Sequence, residues 1–324
     1  MTDALASITE SIGPHLKAVE QRFHDELSSD LRCVNTLVKH VSRFRGKMLR
    51  PSLVLLAGKA TGGLTDAHTT LATVVEMVHM ATLVHDDVLD EAELRRKGAT
   101  INHLRGNEAA VLLGDFLISH SFHLCSSLQS QYASRLIGRT TNQLAEGELL
   151  QIDNRGNYDL DEDTYLRIIT RKTASLCAAC CHLGAWINNA PAEHTAALET
   201  YGLSLGMAFQ IQDDVLDIVG DTGVVGKTLG IDVAKGKMTL PLIHFMRTAP
   251  AEHRSLLRSL LTGNDPDKAE QIRNLILPSN SINFAVNRAR QLVDKARNTV
   301  AILPRTDALQ TMDVMADFVV NRPM

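Results

Sequence analysis

The stretch LATVVEMVHMATLVHDDVLD, residues 71–90, decides the fold. Its apolar residues recur at three and four spacing, the pattern of a helix that buries a broad face. It closes on three carboxylates, Asp86, Asp87 and Asp90. Asp86 and Asp90 lie one turn apart on a shared face, with Asp87 about 100° round. Like charges at that spacing repel, so the helix end carries a cost that something else must offset. The same five residues, DDVLD, return at 213–217 in MAFQIQDDVLDIVGD, again at the end of an apolar helical run. A solvated acidic helix end accounts for one copy. Two identical copies, too far apart for a solenoid repeat, ask for a shared chemistry.

Helical periodicity continues on both sides, in residues 64–86, 107–128, 132–152 and 161–187. Alternating strand-like runs are absent. Thr65-Asp66, Asn107, Asp161 and Pro191 mark helix starts, and prolines sit mostly at segment edges. The reading is an all-α chain of ten or more helices, a single domain over 1–324 with no low-complexity linker. One long irregular stretch, VGDTGVVGKTLGIDVAKGKMTLP at 219–241, holds five glycines and three lysines. A loop of that length inside a domain is usually functional.

The formal charge of -4 contains no block of like charges, so nothing points to a nucleic-acid or anionic-membrane partner. No window has the roughly 18 uninterrupted apolar residues of a membrane span. The N-terminal residues resemble neither a secretory nor a mitochondrial leader, and a cytoplasmic enzyme is expected. Cys33, Cys125, Cys177, Cys180 and Cys181 are too few for a disulfide framework. The CxxC of Cys177 and Cys180 lies in an apolar helical run without a second ligand pair, and reads as packed helix residues.

A hard divalent cation would offset the paired carboxylates. Mg²⁺ keeps an octahedral oxygen shell, typically one or two carboxylates, waters and substrate phosphates, so two such sets suit a diphosphate. The cations a diphosphate needs occur in small groups: Lys47 and Arg50 in RGKMLRP, Arg95 and Arg96 in ELRRKG, Lys172 with Thr173 in RKTASL, and Lys227 and Lys237 in the glycine-rich stretch. Arginine suits bidentate phosphate contact, and lysine acts as a point charge.

From about residue 43 to 245 the order GKMLRP, MVHMATLVHDDVLD with the following RR, GDFL, KTASL, FQIQDDVLD and GKTLGIDVAKGKMTLPLI resembles the trans-isoprenyl diphosphate synthases, particularly the long-chain polyprenyl type. One departure is Arg45, where the family more often has a second glycine before the first lysine. The resemblance implies an all-α bundle of helices around a central apolar cavity with the two Asp motifs at its mouth, usually as a homodimer. It implies a set of three Mg²⁺ ions, with Asp86, Asp90 and Asp213 as direct ligands and Asp87, Asp214 and Asp217 in support. Arg95, Lys172, Lys227 and Lys237 would hold the allylic diphosphate. Lys47, Arg50, His79 and Arg96 would hold isopentenyl diphosphate, with Thr173 and Gln210 near the reacting carbons.

One helical turn, about 5.4 Å, is comparable to one isoprene unit. Residues four and five before Asp86, Thr82 and Ala81, therefore lie about one turn deeper, with Val78 below them. All are small. The expectation is a product longer than geranylgeranyl diphosphate, in the octaprenyl range of quinone side chains. Shorter-chain synthases and a catalytically silent subunit of a heteromeric synthase are the alternatives. A silent subunit would be expected to have lost part of one motif, and neither is broken. A class I terpene cyclase would have no use for the candidate isopentenyl site at Lys47, Arg50 and Arg96. A His-Asp phosphohydrolase fails because His79 and His85 do not share a face. A P-loop at GKT, 226–228, lacks the required glycine at Asp221 and a preceding strand. The C-terminal third reads as amphipathic packing helices, and the tail residue Arg322 is not assigned a role.

Overall fold

The computed structural model describes residues 2–44, 46–95, 98–220, 230–263, 265 and 267–321, with residues 2–9 and 231 as backbone only. Arg45, Arg96, Asp221, the GKT segment with Lys227, and Arg322 lie outside the described residues. The helices run α1 Thr2–Glu26, α2 Arg32–Val41, α3 Leu49–Thr61, α4 Asp66–Leu89, α5 Ile101–Arg105, α6 Asn107–Ser126, α7 Gln131–Asp153, α8 Glu162–Ile169, α9 Ser175–Ile187 and α10 Ala192–Val219. Shorter and C-terminal helices follow at Ile231–Ala234, Leu240–Thr248, Ala251–Thr262, Lys268–Ile276, Ser281–Val300 and Asp307–Val320.

Two details depart from the sequence reading. A ladder of two residues per strand, β1 Leu94–Arg95 and β2 Gly98–Ala99, pairs antiparallel in the register Leu94 with Ala99 and Arg95 with Gly98. It is too short for alternation to register in the sequence. Part of the glycine-rich stretch is helical, the single turn Ile231–Ala234.

The chain divides into two compact units. The first comprises residues 1–142, 176–202 and 299–315, and the second residues 143–175, 203–298 and 316–324. In the first unit α4 packs against α6, α3 and α1. Leu71, Val74, Val75, Met77, Val78, Met80 and Ala81 on α4 are buried, and each large apolar side chain among them contributes about 1.5–3 kcal/mol. The helix is anchored at its start by the His68 ring, whose Nδ1 accepts the Thr65 N–H at 3.0 Å while Nε2 donates to the Gly184 carbonyl at 3.0 Å. Burial lowers the His68 pKa and keeps the ring neutral. Gly184 admits α3 closely, because a Cβ there would collide with the Val54 carbonyl. Cys177, Cys180 and Cys181 are buried in this unit, and burial raises all three thiols.

Among the described residues one helix, α6, is long and apolar enough to cross a membrane by composition. It carries Glu108 and Asp115, and its buried Leu113, Leu117 and Leu124 belong to the core it makes with α4.

The second unit is tied by ion pairs around Glu162, with Arg247 at 3.4 Å and Arg288 at 3.5 Å, and by the Tyr158 hydroxyl, which donates to the Leu261 carbonyl at 3.1 Å.

Candidate active site

Each Asp motif sits at the C-terminal end of its helix, where the backbone dipole is already negative, and neither α4 nor α10 has a basic residue in its last turn. Three effects therefore accumulate against the carboxylates: mutual repulsion, the helix dipole and the apolar run behind them. In both copies the first and third Asp are partly exposed and the middle one is buried, Asp87 and Asp214 each at 5%.

In the first unit, Asp87 is taken by Arg95. The Arg95 Nε donates to both carboxylate oxygens at 2.8 and 3.0 Å, and Nη2 lies 2.6 Å from Oδ1. This is the bidentate geometry that arginine favours. The chain reaches it by a defined reversal. Glu91 takes a left-handed conformation at φ 48°. Its N–H bonds to the Val88 carbonyl at 3.2 Å and the Ala92 N–H to the Asp87 carbonyl at 2.9 Å, the paired bonds of a Schellman ending. Asn102 donates to the Asp87 and Ala92 carbonyls at 3.2 and 3.0 Å, and the Thr100 hydroxyl donates to Ala92 at 2.6 Å. The β1–β2 ladder then returns Arg95 to the helix end.

Two turns before Asp86 on α4, the His79 Nε2 accepts from Arg50 Nη1 at 3.1 Å. Arginine can only donate, so His79 is the tautomer with its proton on Nδ1. Arg50 lies two residues after Met48, which is left-handed at φ 50°, and its Nε is buried without an acceptor among the described residues. A left-handed turn beside a buried cationic donor is compatible with an anion subsite. Lys47 is exposed on the same turn. Ala81 and Val78 are buried and Thr82 half-buried, its hydroxyl donating to the His79 carbonyl at 2.8 Å. His85 is structural: it bonds the Val111 carbonyl at 3.2 Å and lies where any Cβ on Gly114 would collide with its ring.

In the second unit the middle Asp meets neutral donors. The Tyr165 hydroxyl donates to Asp214 Oδ2 at 2.6 Å and the Gln210 amide to Oδ1 at 2.8 Å. Burial, and then the neighbouring Asp232, push the Asp214 carboxyl well above the ordinary range, against the pull of those two donors. Burial and the Asp214 charge raise the Tyr165 phenol, so it stays a neutral donor. The Gln210 oxygen accepts from the Thr173 hydroxyl at 2.9 Å. Asp217 closes the helix end, accepting the Gly230 N–H at its carbonyl at 3.0 Å and the Asp232 N–H at Oδ2 at 3.2 Å.

Thr173 and Lys172 sit on a π-turn, Thr170–Ala174, between α8 and α9. Such turns are frequent at functional sites. Gly147 on α7 makes room for it, since a Cβ there would strike the Lys172 backbone nitrogen and come within 2.8 Å of its Cα. Glu148 beside it forms an ion pair with Lys172. Lys237 lies 3.6 Å from Asp232. Lys172, Thr173, Gln210, Asp214, Lys237 and Tyr165 all line one cavity of about 90 Å³.

The structure thus gathers five predicted residues on this cavity, pairs Arg50 with His79, and pairs Arg95 with Asp87. Arg96 and Lys227 lie outside the described residues. Tyr165, Gly147, Glu148, Asn102 and Asp232 were not foreseen. Gly147, one of two glycines inside α7, was the one sequence signal available, as a glycine within a helix often marks close packing.

The donor set fits magnesium. All six carboxylates offer hard oxygen, and the middle Asp of each motif is already satisfied by protein donors. Among the described residues no three His, Cys, Asp or Glu side chains gather into a cage. A cation at either motif would complete its shell with water and phosphate oxygens, the habit of Mg²⁺.

A family model described as polyprenyl synthetase matches residues 32–277. An octaprenyl diphosphate synthase from Haemophilus influenzae is 35% identical over 320 residues, covering 98% of this chain and 97% of that protein. A crystal structure of a decaprenyl diphosphate synthase from Rhodobacter capsulatus superposes with a TM-score of 0.92 at 34% identity, covering 98% of both chains. A polyprenyl synthase from Caulobacter crescentus, solved with calcium and isoprenyl diphosphate, gives a TM-score of 0.92 at 33% identity, covering 98% of both chains.

Proposed function

The chain belongs to the polyprenyl synthetase family, and on that footing we propose how its residues divide the work. It is a trans-polyprenyl diphosphate synthase, a prenyltransferase that condenses an allylic diphosphate with isopentenyl diphosphate. The family is metal-dependent, and magnesium is the proposed ion, held by Asp86, Asp90 and Asp213 with Asp217 in support. When bound, it supplies positive charge to the diphosphate that leaves as the allylic carbon–oxygen bond breaks. Lys172 and Lys237, with Arg95 and Lys227, hold that diphosphate. Lys47, Arg50, His79 and Arg96 hold isopentenyl diphosphate. Thr173 and Gln210 present oxygen dipoles to the allylic cation, an electrostatic stabilisation fixed before the reaction begins. The double bond of isopentenyl diphosphate attacks the cation, and the proton then lost goes to the departing diphosphate. An apolar, water-excluding cavity keeps water from the cation.

The observation that carries the reading is the repeated DDVLD at the ends of two apolar helices, with Ala81, Thr82 and Val78 small beneath the first copy. Small side chains there favour a long product in the octaprenyl range, and the long-chain relatives support it. The family match over 32–277 runs through both units, which supports treating 1–324 as one catalytic domain. We propose a cytoplasmic homodimer. Val111, Leu112 and Phe122 on α6 and Leu104 on α5 present exposed apolar surface, suited to a second copy.

Purified protein given Mg²⁺, farnesyl diphosphate and labelled isopentenyl diphosphate should yield a ladder ending near eight or nine isoprene units. A product of four units would overturn the length assignment. Absence of Mg²⁺-dependent elongation would overturn the residue roles and leave the silent subunit.

A further inference from the structure

The amide of Gln210 has two unlike ends, and the reaction proposed above needs the oxygen end. What decides the orientation is a chain of bonds within the second unit. Thr173 Oγ1 donates to Gln210 Oε1 at 2.9 Å, Gln210 Nε2 donates to Asp214 Oδ1 at 2.8 Å, and Tyr165 Oη donates to Asp214 Oδ2 at 2.6 Å. Both Asp214 oxygens accept, Oδ2 from Tyr165 and Oδ1 from Gln210, so the amide nitrogen is held on Oδ1 and the amide oxygen is turned to Thr173. Thr173 spends its proton on that oxygen, and its own lone pairs are left for the cavity both residues line.

The arrangement holds only while the carboxylate plane is fixed. One bond from Gln210 leaves the carboxylate free to rotate, and the amide free to turn its N–H groups outward. The second bond, from the buried Tyr165 on α8, removes that freedom. An inverted amide would place positive hydrogens where the allylic cation forms.

We propose that Tyr165 is a positioning residue for prenyl transfer, setting the orientation of the Gln210 amide through Asp214 so that the oxygens of Gln210 and Thr173 face the cation. It rests on the roles given to Gln210 and Thr173 above. Tyr165 itself touches no reacting atom. Its effect belongs to the ionisation step and leaves binding of either diphosphate alone.

The test is a double-mutant cycle on the chemical step. Single-turnover rates are measured for wild type, Tyr165→Phe, Gln210→Leu and the double variant, with farnesyl diphosphate and with its 2-fluoro analogue. Fluorine withdraws electrons from the forming cation, so it reports how well that cation is stabilised. The expected result is a fall of about 10-fold or more for Tyr165→Phe, unchanged KM for both substrates, and a larger fluorine penalty than in wild type. The same change made on Gln210→Leu should cost almost nothing. Two variants that slow the reaction independently would overturn the proposal while leaving the role of Gln210 intact. A Gln210→Leu enzyme at wild-type rate would overturn both. Should the phenylalanine variant unfold, 3,5-difluorotyrosine at position 165 keeps ring and hydroxyl and changes only donor strength. A rate that follows donor strength supports the proposal, and an unchanged rate refutes it.

Discussion

The two DDVLD segments are identical in sequence and opposite in how they settle their middle carboxylate. At the end of α4, Asp87 is buried against a cation, with Arg95 gripping it through Nε and Nη2. At the end of α10, Asp214 is buried among neutral donors, Tyr165 and Gln210, with Asp232 near enough to raise its pKa. The first copy spends its middle Asp on placing a cationic side chain beside the helix end. The second spends it on orienting an amide. The outer Asp residues are partly exposed in both copies, and Asp86, Asp90 and Asp213 among them are the proposed metal ligands. A repeated motif therefore need not mean a repeated role, because partners from outside the motif decide what its central residue does.

The largest effect should be the one the copies share. Asp86→Ala and Asp213→Ala should each lower elongation by about 10³-fold or more, measured as initial rates across a magnesium titration. A loss confined to one copy would break the parallel at its root. Stability should then separate them. Removing Arg95 takes the bidentate counter-charge from buried Asp87, so Arg95→Ala should cost about 2–3 kcal/mol, the low end for a broken buried pair because Arg95 is partly exposed. Tyr165→Phe, which deletes one neutral donor, should cost about 1–2 kcal/mol. Urea unfolding of the metal-free protein reads both, and equal losses would erase the distinction.

The pH dependence sharpens it further. An acid whose native pKa is raised holds its proton more tightly folded than unfolded. Its contribution to stability therefore declines as pH rises from about 4 toward the raised native value. In metal-free protein, the stability of Asp214→Asn relative to wild type should climb over that interval and level off above it, while turnover falls. Asp87→Asn, which strands Arg95, should lower stability at neutral pH. Thermal melts from pH 4 upward decide this, and a flat difference for Asp214→Asn would contradict the environment described. The smallest effect lies at the junction after the first copy. Glu91 occupies a left-handed position that glycine fills without strain, so Glu91→Gly should stabilise by about 1 kcal/mol or less.

Helix ends and carboxylate spacing were readable because each depends on residues within a turn or two of one another. Thr65-Asp66, Asn107, Asp161 and Pro191 all stand at helix starts. The partners of the middle Asp residues were not readable, since Arg95 reaches Asp87 only after a Schellman ending and a two-residue ladder, and Tyr165 meets Asp214 across 49 positions. Arg95 was expected on the substrate, and in the structure its guanidinium is also the counter-charge of Asp87. The π-turn was hidden for another reason. One extra residue per turn over Thr170–Ala174 barely disturbs an apolar periodicity averaged over a long helix.

Gly147 fixes a tolerance as well as a clearance. Where the backbone of the Lys172 turn rests directly on α7, no rotamer stands between them to absorb a small displacement. The Lys172–Thr173 pair is thus mounted on the main chain itself, as a lens is cemented to its barrel. Side-chain variation elsewhere in the fold can proceed without moving the Lys172–Thr173 pair.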